Sequence, residues 1–231
     1  MAAKRSGARS KGAQRIGVPL QPVQEASSEP PLSRDRIVAT AVDLLDAQGV
    51  DGLTMRRLAD HLGSGVMSLY WHVDNKEDVF DLALDSVLEY RGSPEIVESQ
   101  DWRGDVIHML EDWRARMLRH PWSASLLPRR ALGPNILGRL ELLSKTLSRA
   151  GVADADLNVA IWSLWNYVMG ATLTRASFDL SDDDRTAAQQ RLTILGEHYP
   201  TIERSRLLLD SDWDGAFRKG LGFVLDGLSP R

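Results

Sequence analysis

The sequence predicts an all-α protein, an N-terminal three-helix helix-turn-helix domain followed by a larger helical body, and three observations carry that expectation. After residue 33 apolar residues recur at spacings of three and four, no run of useful length alternates with period two, and prolines and glycines punctuate the helical stretches. At 231 residues the chain has room for one large or two small domains. It has no cysteine, which removes disulfides and thiolate metal sites and suits a reducing cytoplasm. Its longest apolar runs are too short to span a bilayer, and its first residues lack the apolar core of a signal peptide, so a cytoplasmic protein without a membrane partner is expected.

Residues 1–32 read as a disordered basic tail. Lys4, Arg5, Arg9, Lys11 and Arg15 lie among small and polar residues, followed by Pro19, Pro22, Pro30 and Pro31, and little apolar surface is available to bury. Five basic residues against Glu25 and Glu29 leave the tail at +3, while the whole chain stands at −4. Such a segment is either a solubilising extension or an arm that follows phosphates.

Residues 33–78 form the helix-turn-helix domain. A first helix is expected from Arg34 to Ala47, with Ser33 as its cap, Ile37, Val38, Ala41, Leu44 and Leu45 on one side, and Gly49 closing it. In the second, Thr54 caps the start and Leu53, Leu58, Ala59 and Leu62 make the apolar face. Gly63 ends it by tolerating a left-handed conformation. The third, about Val66 to His72, is too short to be stable alone. It turns Leu69 and Val73 inward and Ser68, Tyr70, Trp71 and His72 outward, with Lys76 just beyond. Those outward groups suit DNA: hydroxyl and imidazole groups for phosphate oxygens, aromatic edges for thymine methyls, a lysine for the backbone. The alternative is that Tyr70 and Trp71 are ordinary core aromatics.

From Ser33 to Asp78 the chain resembles the tetracycline repressor (TetR) family. The motifs are Gly49-Val50-Asp51-Gly52-Leu53-Thr54, Arg57-Leu58-Ala59, and Leu69-Tyr70-Trp71-His72-Val73 followed by Asn75-Lys76. The resemblance implies a DNA-binding set of Thr54, Arg56, Val66, Met67, Ser68, Tyr70, Trp71, His72 and Lys76. Arg56 falls where the family often places a guanine-reading arginine, whose fork matches O6 and N7. Val66 and Met67 depart from the polar residues of the tetracycline repressor itself, so its operator sequence does not carry over. Between Ser33 and Lys76 five basic residues meet six aspartates, a net −1, so the domain lacks a broad basic field and salt-sensitive binding of modest strength is expected.

Residues 79–231 are expected to be a helical ligand-binding and dimerisation domain. The helix that starts at the Asn75 cap reads on to about Tyr90, and Gly92-Ser93-Pro94 breaks the chain. Further helices are expected over about Trp102 to Arg119, Trp122 to Leu127, Asn135 to Ala150, Ala155 to Phe178, Asp183 to Glu197 and Asp212 to Leu228, with Pro121, Pro128, Pro134 and Pro200 between them. Ala155 to Phe178 is apolar around its whole circumference and needs a cover on every side. The last helix carries a stripe of Trp213, Phe217, Leu221, Val224 and Leu228. Two such helices from each of two chains make a four-helix interface, a homodimer whose two-fold axis matches a palindromic operator. His108, Trp113, Met117, Trp162, Trp165, Asn166 and Met169 are candidates for a pocket that takes a small hydrophobic or amphipathic organic effector, and Arg175 is a further polar candidate. Each taken alone is better suited to plain core packing, and only the set points to a pocket.

No metal or cofactor is expected. His61, His72, His108, His120 and His198 form no metal-ligand motif, Ser181-Asp182-Asp183-Asp184 reads as a helix start, and no match to the metal-chelating histidine site of the tetracycline repressor is seen. No Walker loop, nucleophile elbow or full dinucleotide fingerprint occurs, and Gly63-Ser64-Gly65 lacks a third glycine, so an enzyme is not expected. The resemblance implies a ligand-responsive repressor released from its operator by a small molecule. The alternatives are an activator or co-repressor-dependent regulator of the same fold, or a helical small-molecule-binding protein without DNA activity. If the tail is an arm, deleting residues 1–31 weakens DNA binding and flattens its salt dependence, as measured by titration across ionic strength. An unchanged slope rejects the arm.

Overall fold

The computed structural model describes residues 31–90, 100–130, 132–177, 181–205 and 212–228. Residues 1–30 of the expected tail and the Gly92-Ser93-Pro94 break lie outside them. The described residues are helical, with no strand among them.

Helices α1 (Arg34–Gly52), α2 (Met55–His61), α3 (Val66–Leu69) and α4 (Lys76–Val87) come first. Three begin on side-chain caps read from the sequence: Ser33 accepts from the Arg36 amide at 3.2 Å, Thr54 from Arg57 at 3.2 Å, and Asn75 from Asp78 at 3.0 Å. Ile37, Ala41, Leu44, Leu45, Leu58, Leu69, Val73, Val79, Phe80 and Ala83 bury together, α1 lying on α4. Two boundaries differ from expectation. Gly49, at φ +68°, interrupts α1 rather than ending it, and helical bonding resumes to Gly52. Regular helix in α3 stops at Leu69, and Tyr70 to His72 continue as turns, the His72 and Val73 amides both reaching the Leu69 carbonyl.

The body comprises α5 (Trp102–Arg119), α6 (Pro121–Leu126) running into a 3₁₀ turn (Leu127–Arg129), α7 (Pro134–Arg149), α8 (Asp154–Ser177), α9 (Asp182–Ile194), α10 (Pro200–Ser205) and α11 (Trp213–Leu228). The prolines at 121, 134 and 200 are not between helices as expected but open them, because the first helical amide has no partner to lose. The short α10 has no counterpart among the expected helices, since six residues give periodicity little to act on. Helix α5 packs on α7 and α8, and α11 lies across α5 and α8. Arg114–Asp214 at 2.6 Å, Arg218–Glu111 at 2.7 Å and Arg103–Asp226 at 2.6 Å fasten α11 to α5. The α11 stripe expected at a dimer interface instead faces its own subunit: Phe217 and Leu221 are buried, with Leu225, and Tyr167 donates to the Phe217 carbonyl at 2.8 Å.

Helices α4 and α7 cap each other. The buried Asp85 carboxylate on α4 accepts the amides of Asn135 (3.0 Å) and Ile136 (3.1 Å) at the start of α7, where the helix dipole favours a negative charge. A β-carbon at Gly133 would lie 2.3 Å from Asp85 Cγ, so only glycine admits this approach. In return Arg139 on α7, 4 % exposed, donates to the carbonyls of Leu88 and Glu89 at the end of α4. Its guanidinium also meets Asp112 of α5 at 2.5 Å and lies 4.9 Å from the Tyr90 ring and 5.5 Å from Trp113.

Burial opposes the charge on Asp112, but hydrogen bonds and charge from Arg139 and Arg116 outweigh it and hold the carboxyl below its ordinary value. A carboxyl depressed in the folded state stabilises fully above its unfolded value, near pH 4, and that contribution is lost as pH falls through the folded value. Arg139→Ala is therefore expected to lower unfolding free energy in urea by about 3 kcal/mol at pH 7. The difference from wild type should narrow at pH 3, and equal unfolding midpoints at pH 7 would contradict the role given to this side chain.

Candidate functional site

The nine residues expected to meet DNA lie on or beside α2, α3 and the start of α4. The arrangement depends on Gly63, whose φ of +61° turns the chain out of α2, while the amides of Gly63 and Ser64 return to the carbonyls of Asp60 and Ala59. Helix α3 is then fixed from within by Leu69 and Val73, at 0 % and 2 % exposure. The outer side of α3 and of the turn that follows it carries Met67, Tyr70 and Trp71, exposed by 75 %, 45 % and 88 %. The core alternative for Trp71 is thereby excluded. A large indole held in water by a rigid turn is a surface made for contact.

Ser68 and Arg56 are also exposed, and Arg56 has no hydrogen-bond or ion-pair partner among the described residues. Its neighbour Arg57 instead braces the domain, donating to Gln48 Oε1 at 2.9 Å and to the Gly52 carbonyl at 3.1 Å. Thr54 is exposed, but its hydroxyl caps α2. Val66, His72 and Lys76 are half-buried, the Lys76 ammonium lying 5.0 Å from the centre of the Phe80 ring.

The reading domain is tied to the body by a junction that the sequence did not reveal. Asp46 near the end of α1 accepts from Trp122 Nε1 at 2.7 Å and lies 2.8 Å from His120 Nδ1, both at the α5–α6 corner. Asp46 is one polar residue among several on α1, and its partners stand 74 and 76 positions away. No local pattern could pair them.

In the body a cavity of about 380 Å³ is lined by Leu127, Pro128, Leu132, Leu140, Ile161, Trp162 and Trp165 and by one charged side chain, Arg130. Its size and apolar wall suit a drug-sized molecule. Of the seven residues expected to form a pocket, Trp162 and Trp165 line it. Trp113 stands behind Trp165, edge to face at 5.2 Å, and Trp165 meets Trp162 at 6.3 Å, so three indoles run from core to surface. Met117 and Met169 are buried core. His108 and Asn166 are exposed and do not line the cavity, and the His108 ring lies edge-on to Tyr90 at 6.5 Å. Arg175 lies 5.9 Å from the Trp213 ring, also off the lining. The polar group at this cavity is Arg130, which sequence reasoning missed. It sits in an irregular stretch after a 3₁₀ turn, where helical periodicity says nothing about which way a side chain points.

Comparison with known proteins agrees with this geometry. The family described as "Bacterial regulatory proteins, tetR family" matches residues 37–83, and "Tetracyclin repressor-like, C-terminal domain" matches residues 95–231. An HTH-type transcriptional regulator of Saccharopolyspora erythraea is 36 % identical over 91 % of this chain and 90 % of its own length. The HTH-type transcriptional repressor DrrR1 of Streptomyces coeruleorubidus is 32 % identical over 87 % of this chain and 78 % of its own. Among solved structures, the Streptomyces coelicolor TetR family protein ActR in complex with actinorhodin superposes with a TM-score of 0.74 at 31 % identity, covering 87 % of this chain and 96 % of that one. A helix-turn-helix that holds its aromatics outward, an apolar cavity in an all-helical body, and family matches over both halves together establish that the chain belongs to the TetR family of transcriptional regulators.

Proposed function

We propose that this regulator is a cytoplasmic homodimeric repressor that reads a palindromic operator with residues 33–78 and is released when a small amphipathic aromatic molecule enters the 380 Å³ cavity of residues 79–231. The observation that carries the DNA reading is the contrast at the end of α3: Leu69 is fully buried and Trp71, two residues later in the following turn, is almost fully exposed. Met67, Ser68, Tyr70 and Trp71 then face the groove, with Thr54, Arg56, Val66, His72 and Lys76 flanking them, and Lys76 supplies a backbone cation.

The dimer reading is supported by α8. Val159, Trp162 and Leu173, exposed by 64 %, 56 % and 43 %, recur at helical spacing with Asn166 and Gly170 between them, and Phe223 on the adjoining α11 is 67 % exposed. Such a stripe finds its cover in the same stripe of a second copy about a two-fold axis. Release by effector is a population shift: turning an operator occupancy of 99:1 into 1:99 requires a preference for the released form of about 5.5 kcal/mol. ActR, solved in complex with actinorhodin, supports a small-molecule effector. No helix among the described residues is long and apolar enough to cross a membrane, in keeping with a protein that works on the chromosome.

The test is binding of a labelled duplex from the region upstream of the protein's own gene, followed by anisotropy. Trp71→Ala is expected to weaken binding at least tenfold with an unchanged melting temperature, whereas Leu69→Ala costs about 2–5 kcal/mol of folding stability. Full operator affinity in Trp71→Ala would reject α3 as the reading helix.

A further inference from the structure

The cavity has one charged group among its described lining residues, and that group is already in use elsewhere. Arg130 follows the 3₁₀ turn in extended conformation, and its side chain is 15 % exposed. Its guanidinium pairs with Glu77, stands 3.6 Å from Asp81 and lies 4.9 Å from the centre of the Phe80 ring, all three on the first turns of α4. Lys76, which flanks the DNA-reading set, contacts that same ring. Burial pushes the Asp81 carboxyl up from its ordinary value and the charge of Arg130 pulls it back, so the cavity wall and α4 are electrostatically joined at this point. An uncharged molecule in the cavity finds apolar wall and a guanidinium turned toward carboxylates. A molecule that carries an anion on an aromatic body also finds a partner for its charge, and it takes that partner from α4.

We infer that Arg130 sets the specificity of the cavity for acidic aromatic molecules, and that their anion competes with Glu77 and Asp81 for its guanidinium. The inference rests on the reading of this cavity as the effector site. Competition has a thermodynamic consequence: whatever strengthens the Arg130–Glu77 pair weakens anion binding, and by reciprocity a bound anion weakens the hold of the cavity wall on α4. A guanidinium also suits the role better than an ammonium, since its planar fork can serve two acidic partners at once.

Two fluorescent probes share a naphthylamine body and differ in charge: 1-anilinonaphthalene-8-sulfonate is an anion and N-phenyl-1-naphthylamine is neutral. Titrated into the full chain, Arg130→Gln is expected to lose at least tenfold in affinity for the sulfonate and to stay within twofold for the neutral probe. Arg130→Lys should recover part of the loss, and Glu77→Gln should bind the sulfonate severalfold more tightly than wild type. Unchanged sulfonate affinity in both Arg130→Gln and Glu77→Gln overturns the inference. Trp165→Ala distinguishes the two levels of failure. If it weakens both probes while the Arg130 variants change neither, the cavity stands and the role of Arg130 falls. If it weakens neither probe, the cavity reading falls and the inference with it.

Discussion

The mutual capping of α4 and α7 is the constraint on which the rest of the molecule depends. Helix ends leave amides and carbonyls that must find partners, and here each helix completes the other: Asp85 serves the start of α7, and Arg139 serves the end of α4. The exchange cannot be broken at one end cheaply. Arg139 is buried, so removing Asp112 strands its charge, and removing Arg139 strands two carbonyls and leaves Asp112 to Arg116 alone. The body therefore grips the last turn of the helix whose first turn follows directly on α3.

That grip gives the reading domain a defined mount. Polar contacts join helices α1 to α4 to the rest of the chain at well-separated points: Asp85 and Arg139 at the end of α4, Arg130 at its beginning, and Asp46 against the α5–α6 corner. The first is itself buried, packed against Trp113 and the half-buried Tyr90, and is built to stay. The second involves Glu77, whose side chain is 63 % exposed, and is the more easily traded. Helix α4 is thus anchored at one end and adjustable at the other, and its adjustable end pairs with Arg130 of the cavity wall. In the proposed dimer, a small change there alters the spacing of two α3 helices, which successive major grooves of a duplex fix at roughly 34–36 Å.

The helices were legible because their signals are local. Ser33, Thr54 and Asn75 cap as their positions suggest, Gly63 takes its left-handed turn, and α5 runs over the expected residues. The outward direction of Trp71 followed from the inward pair Leu69 and Val73 four residues apart. The candidate cavity was legible only where its wall is regular helix, as with Trp162 and Trp165. His108 and Asn166 were polar residues beside apolar ones, and helical spacing alone did not settle which side of the apolar face they take. The residues that connect the parts were illegible for a different reason. Asp46, Asp85, Arg130 and Arg139 each pair with groups far along the chain, and a charged residue on a helix looks the same in sequence whether it faces solvent or another helix.

The central claim is that occupancy of the cavity changes the separation of two reading heads. Because the chain has no cysteine, a single Asp60→Cys substitution on the exposed side of α2 places one spin label per copy. Electron–electron dipolar spectroscopy on the operator-bound and effector-bound forms then measures that separation directly. The account predicts one narrow inter-label distance on the operator and a shifted or broadened distribution once effector is bound. The absence of any inter-label distance, or the same distance in both forms, would contradict it.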